Sequence, residues 1–179
     1  MMLHAAHAGH NKVIIRTVDT DGVILVVALT RTLAKDDEVW VSFSMGKTFQ
    51  FLAAREMARA LGPKKAQTLP MFHALTGCDT VSCFAGHGKR TAWAVWTALP
   101  ALTKTLVDLS TAPIHVDEEA MQTIERFVIL LYDRTSTSTN VDKARCILFA
   151  KKSNVQLIPL TSAALQQHDR RAVYQDGHV

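Results

Sequence analysis

The chain has no apolar run of the roughly 18 residues that crossing a bilayer requires. Val23–Leu29 is the obvious apolar stretch, and Thr30 and Arg31 close it. The opening residues do not read as a secretory signal either, since His4, His7 and His10 interrupt the apolar pattern. The three cysteines, Cys78, Cys83 and Cys146, make neither a disulfide framework nor a zinc pattern. These absences point to an intracellular protein, nuclear or cytoplasmic. No internal repeat occurs, and the only low-complexity tract is the Thr-Ser run of 135–139. Carboxylates are absent from Met1–Lys12. What is present is ordinary globular material: 48% hydrophobic and 20% charged residues in a chain of 179, which suits one domain with a helical extension.

The net charge of +4 is unevenly spread. Between residues 53 and 104 stand Arg55, Arg59, Lys64, Lys65, Lys89, Arg90 and Lys104, against only Glu56 and Asp79. A segment so biased is the one to offer an anion.

Met1–His10 reads as the last turns of a helix stopped at Gly9, with three histidines on one face. A domain that opens on a helix tail lacks nucleating and capping residues, so truncation at the N-terminus is expected. Lys12–Thr17 is β-branched and continuous through Val13–Ile15, the pattern of a buried parallel strand. It runs into Val18-Asp19-Thr20-Asp21-Gly22. Acids at the carboxyl end of such a strand sit where open α/β sheets hold ligands, and two close carboxylates need cations or protons to offset their repulsion. The competing structural reading has Asp21 capping a helix over Val23–Leu33, while Asp19 closes a turn.

Glu38–Phe43 alternates as a strand, with Lys47–Leu52 as its hairpin partner across Met45-Gly46. Gly46-Lys47-Thr48 is not a phosphate loop, since Val41 occupies the position of the required upstream glycine. Helices are expected over Ala53–Leu61, Lys64–Thr76, Thr91–Leu99, Ala101–Leu109, from Asp117 past Leu131, from Asn140 to Ala150 and over Thr161–Tyr174. His73, Trp93 and Trp96 read as core residues. The division expected is a sheet-bearing part over residues 1–100 and a helical part over 101–179.

Two signals then stand in order: the strand end with Asp19 and Asp21, and, 58 residues after Asp21, Thr76-Gly77-Cys78-Asp79 leading to Gly86-His87-Gly88-Lys89-Arg90. Together they resemble the second half of the PIN-like nuclease fold of the XPG/flap-endonuclease superfamily. The stretch is also similar to animal proteins, common in transposon-rich genomes, that carry a TGCDT…GKGK-type motif. The resemblance implies an α/β fold with a small, mostly parallel sheet, truncated at its N-terminus and followed by helices. It implies Asp19, Asp21 and Asp79 as ligands of Mg²⁺ or Mn²⁺ and as the catalytic acids of a phosphodiesterase. It also implies Gly86, Gly88, Lys89 and Arg90 as a grip on the nucleic-acid backbone, through a helical hairpin with little sequence preference. Oxygen ligands suit these cations, and two-metal hydrolysis needs both ions held by carboxylates.

That family also uses an acid near the start of its fold and an acid-rich helix before the Asp-x-Asp strand, and Met1–Lys12 supplies neither. The expectation is therefore a nuclease-derived nucleic-acid-binding module, incomplete or inactive as this chain. One alternative is a non-catalytic protein-interaction domain. Another is a haloacid-dehalogenase-like phosphatase fragment, with Asp19 as nucleophile and Asp21 as acid/base.

Overall fold

The computed structural model describes residues 11–34, 36–45, 48–111, 116–151, 154 and 157–177. The expected helix tail over Met1–His10, its histidines and the Gly46-Lys47 turn lie outside them. The chain divides into two compact units, residues 1–70 and 71–179. Residues 71–100, with most of the helical hairpin, fall in the second unit.

In the first unit, β1 (Lys12–Thr17) pairs in parallel with β2 (Glu38–Met45), and β2 pairs antiparallel with β3 (Thr48–Ala53). The sheet is thus mixed, in the order β1-β2-β3, where a mostly parallel one was expected. The β2–β3 hairpin supplies the antiparallel half. Between β1 and β2 the chain crosses through α1 (Thr20–Leu29) and a 3-10 turn at Thr30–Thr32. Following β3 come α2 (Ala54–Leu61) and α3 (Pro63–Gln67), separated by Gly62 at φ 78°.

Strand alternation decides what is buried. Val39 and Val41 of β2 point to a core shared with Val23, Val26 and Val27 of α1 and Ala54 of α2, with Val13 and Ile15 packed at its margin. The opposite face carries Ile14, Trp40, Phe49 and Phe51, and Ile14 and Phe51 are 65% and 63% exposed. Arg16 lies over the Phe49 ring, 5.3 Å from its centroid. Here the expectation of a strand buried on both faces is corrected. Helices cover one face of this sheet and β1 is its edge strand, so Ile14 remains in solvent.

The second unit is helical: α4 (Leu69–Leu75), which begins at the boundary, then α5 (Lys89–Ala98), α6 (Ala101–Thr111), α7 (Glu118–Tyr132), α8 (Val141–Lys151) and α9 (Ser162–Asp176). One helix expected over Lys64–Thr76 is two, α3 and α4. Pro70 has no N–H to continue the ladder, and the Thr68 hydroxyl turns back to the Lys64 carbonyl at 3.0 Å. The broad apolar face of α7, including Met121, Ile124, Phe127, Val128 and Leu131, is buried. Asp117, Asn140 and Thr161 cap the three last helices through side-chain oxygens that accept backbone N–H groups. Phe72 stacks on Trp96 at 4.4 Å, and Trp96 is fully buried with its indole N–H donated to Thr103.

Candidate nucleic-acid interface and acidic residues

The acid pair sits at the end of β1, in the first unit. Asp19 is extended and caps α1: its Oδ1 accepts the Asp21 N–H at 3.1 Å. The Thr17 hydroxyl accepts the Asp19 N–H at 3.0 Å and donates to the Asp19 carbonyl at 3.2 Å. The helix therefore starts at Thr20, three residues before the expected Val23, and Asp21 lies in its first turn. Of the two acids it is Asp19, not Asp21, that caps. A Cβ on Gly22 would meet the Thr17 Oγ1 at 2.8 Å, so a larger residue there would have to displace the side chain that holds the Asp19 N–H. Both acids lie at the N-terminal end of α1. Asp19 is exposed, with one oxygen committed to the cap.

Asp79 belongs to the second unit, in the loop between α4 and α5, and its side chain is exposed. The loop around it is closely specified. Gly77 has φ 102°, and a Cβ there would stand 2.7 Å from the Cys83 Cα, so no other residue fits. Cys78 and Val81 exchange backbone hydrogen bonds at 2.9 and 3.3 Å. The Thr80 hydroxyl donates to Gln175 Oε1 of α9 at 2.7 Å.

Lys89 is the least expected part. It is the first residue of α5 rather than part of a preceding turn, and its amine points back at the end of α4. There Nζ donates to the His73 carbonyl (3.1 Å), the Thr76 hydroxyl (3.3 Å) and the Gly77 carbonyl (2.5 Å). An ammonium has three protons, and the geometry engages all of them. A cation at a helix C-terminus also offsets the macrodipole. The sequence shows a lysine near a glycine turn; it gives no sign that the lysine faces backwards.

Arg90, one position on, is exposed. The N-cap of α5 is Gly88, so no side chain caps this helix. Gly86 has φ 76°, and the His87 ring packs edge-on against Tyr132 of α7 at 4.3 Å. Burial, the largest cause, raises the Tyr132 phenol above its ordinary value. Among the described residues no group of three or more His, Cys, Asp and Glu side chains is placed to hold a metal ion. The acid pair by itself brings only two carboxylates to the end of β1. Among the described residues, no helix is long and apolar enough to cross a membrane.

Sequence reasoning passed over two further features of the second unit. A groove of about 720 Å³ runs beside α7, where Glu118, Glu119, Gln122, Arg126 and Gln166 face it. In its lining, Glu125 accepts the Ser162 hydroxyl at 2.7 Å and the Val141 N–H at 3.2 Å, next to the fully buried Asp169 of α9. Asp169 stands in a polar run, His168-Asp169-Arg170-Arg171, whose composition reads as surface. No protein-family model matches this chain, and neither a curated protein nor a solved structure matches it.

Proposed function

We propose that this chain is a nuclease-derived nucleic-acid-binding module that holds backbone phosphate at the first turn of α5. The observation that carries the reading is the glycine-bounded start of that helix. Gly88 leaves α5 without a side-chain cap, and exposed Arg90 stands beside it. Backbone N–H groups and a guanidinium at a helix N-terminus form a phosphate-binding arrangement that is indifferent to base identity. In this reading Gly86, Gly88 and Arg90 make the contact. Lys89 acts as a positioning residue, bracing the turn against the carbonyls of α4.

The metal-dependent phosphodiesterase reading rests on Asp19, Asp21 and Asp79 and on the resemblance of their motifs. Hard divalent cations with oxygen ligands, Mg²⁺ or Mn²⁺, are the ions such acids would hold. Two carboxylates at the β1 end, one of them capping α1, do not make a two-metal shell. Catalysis is accordingly assigned to a form in which further acids are supplied.

Anisotropy titrations with a fluorescent 20-nucleotide DNA at several salt concentrations test the binding. Arg90→Glu should weaken binding about threefold to tenfold at low salt and reduce the slope of log K against log salt by about 1. Asp19→Asn, which keeps the cap, should leave binding unchanged. Absence of any DNA binding at low salt would refute the module and favour a protein-interaction role. For the catalytic assignment, a version extended at the N-terminus should cleave branched DNA with Mn²⁺ and lose cleavage on Asp79→Ala. Retained cleavage in that variant would remove Asp79 from the site.

A further inference from the structure

Asp169 is fully buried, and neither of its carboxylate oxygens has a hydrogen-bond partner. The acid facing it is Glu125 of α7, itself 7% exposed, whose two oxygens are occupied by Ser162 and Val141. Two donors thus meet the Glu125 carboxylate, while none meets Asp169. Two neighbouring buried carboxylates cannot both ionise cheaply. Among the described residues no cation compensates. Arg170 and Arg171 on the same helix are exposed, and the Lys104 of α6 lies at the surface bridging Asp108 and Glu119. His168, also buried, is tied by its ring Nε2 to the Leu75 carbonyl at 2.7 Å.

The helix that carries Asp169 also reaches the Asp79 loop. Gln175 accepts the Thr80 hydroxyl, and His168 holds the last carbonyl of α4. Docking of α9 and the conformation of residues 75–80 are therefore joined by two contacts at its ends.

We propose that Asp169 docks α9 as a neutral acid, and that losing its proton to solvent releases α9 and, with it, the brace on the Thr76–Thr80 loop. The device is independent of whether the loop binds nucleic acid. Burial, followed by the Glu125 charge, raises the Asp169 carboxyl well above its ordinary value of 3.8. A group raised in the folded state binds its proton more tightly there than in the open state. The open population consequently grows as pH rises above that ordinary value, by up to tenfold per unit, and levels off past the folded-state value.

Amide hydrogen exchange of the full chain tests this, comparing wild type with Asp169→Asn at each pH so that intrinsic exchange rates cancel. Protection of residues 165–175 and of Thr80 and Val81 should agree within about threefold in the two proteins near pH 4, close to the ordinary value of the acid. At pH 8 it should be at least tenfold greater in Asp169→Asn. A pH-independent ratio would overturn the proposal, and so would a change confined to α9 that leaves the loop unmoved. Gln175→Ala should keep the α9 response while abolishing the matching response of the loop. Should Asp169→Asn fail to fold, Glu125→Gln provides the second reading. It removes the facing charge, so its α9 protection should stop falling at a lower pH than in wild type, and α9 protection that does not fall with pH in either protein would refute the device.

Discussion

Asp19 and Asp21 differ by two positions and by role. Asp19 holds an N–H of the first turn of α1, and Asp21 stands in the field of that turn. The cap and the candidate ligand are thus the same side chain, and substitution separates the two. Asp19→Ala should destabilise the fold by about 1 kcal/mol in urea denaturation, whereas Asp19→Asn should cost a few tenths, since asparagine caps as well as aspartate. Lys89 offers a similar separation. Lys89→Met leaves the His73 and Gly77 carbonyls without their charged donor and should cost about 1–3 kcal/mol. Arg90→Met, on the exposed side of the same turn, should stay within about 0.5 kcal/mol. Equal losses in these two variants would refute the inward placement of Lys89. Gly77→Ala carries both an unfavourable φ and a clash with Cys83, and should cost more than about 2 kcal/mol.

Among elements, the sheet and α7 show opposite outcomes of similar apolar sequence. The face of β2 with Val39 and Val41 is closed by α1 and α2, while Trp40, Phe49 and Phe51 point away from that layer. Phe127 of α7 is completely buried, with its ring 6.4 Å from Phe84. Phe127→Ala should therefore cost about 3–5 kcal/mol, while Phe51→Thr, equally aromatic by sequence, should change stability by no more than about 0.5 kcal/mol. Thermal melts of the two variants suffice to check this. The strands were legible because β-branched runs between polar residues leave few options: β1 spans the expected residues, while β2 runs two residues past the expected Phe43 and β3 one past Leu52. The exposure of Ile14 was not legible, because it depends on how many layers cover the sheet. Likewise the early start of α1 follows from Asp19 adopting an extended cap, a local choice that Asp-x-Asp leaves open.

At the scale of the whole molecule, two buried groups of one helix set opposing pH limbs. Burial lowers the His168 imidazole, an effect partly countered by its bond to Leu75. The unfolded state then binds the proton more readily, so stability is complete above about pH 6.5 and falls as pH drops below it. Asp169 acts the other way, losing stability as pH rises from its ordinary value. Guanidinium denaturation across pH 4–9 should show that His168→Gln flattens the acid limb relative to wild type, and a slope left unchanged would mean that His168 is not neutral in the fold. Charge works differently at this scale. The seven cations against two acids of residues 53–104 were plain in the sequence, but Lys89 and Arg55 are spent internally. Arg55 donates to the Asp37 and Ala34 carbonyls at 2.9 and 2.6 Å, so a count of cations overstates what a phosphate would meet.

By itself the sequence determined the order of elements, most helix caps and the residue types of the candidate site, because hydrophobic period, turn chemistry and capping act over a few residues. Tertiary structure alone decided that Lys89 turns back onto α4, that Gln175 meets Thr80 from 95 positions away, and that Asp169 is fully buried. Each of these depends on which surfaces meet, and a long, flexible lysine side chain can serve a solvent anion or a buried carbonyl with the same local sequence around it. The Thr-Gly-Cys-Asp and Gly-His-Gly-Lys-Arg stretches thus emerge with divided labour. Their glycines, Thr76, Thr80 and Lys89 build the hairpin, and Asp79 and Arg90 are the members it leaves facing solvent.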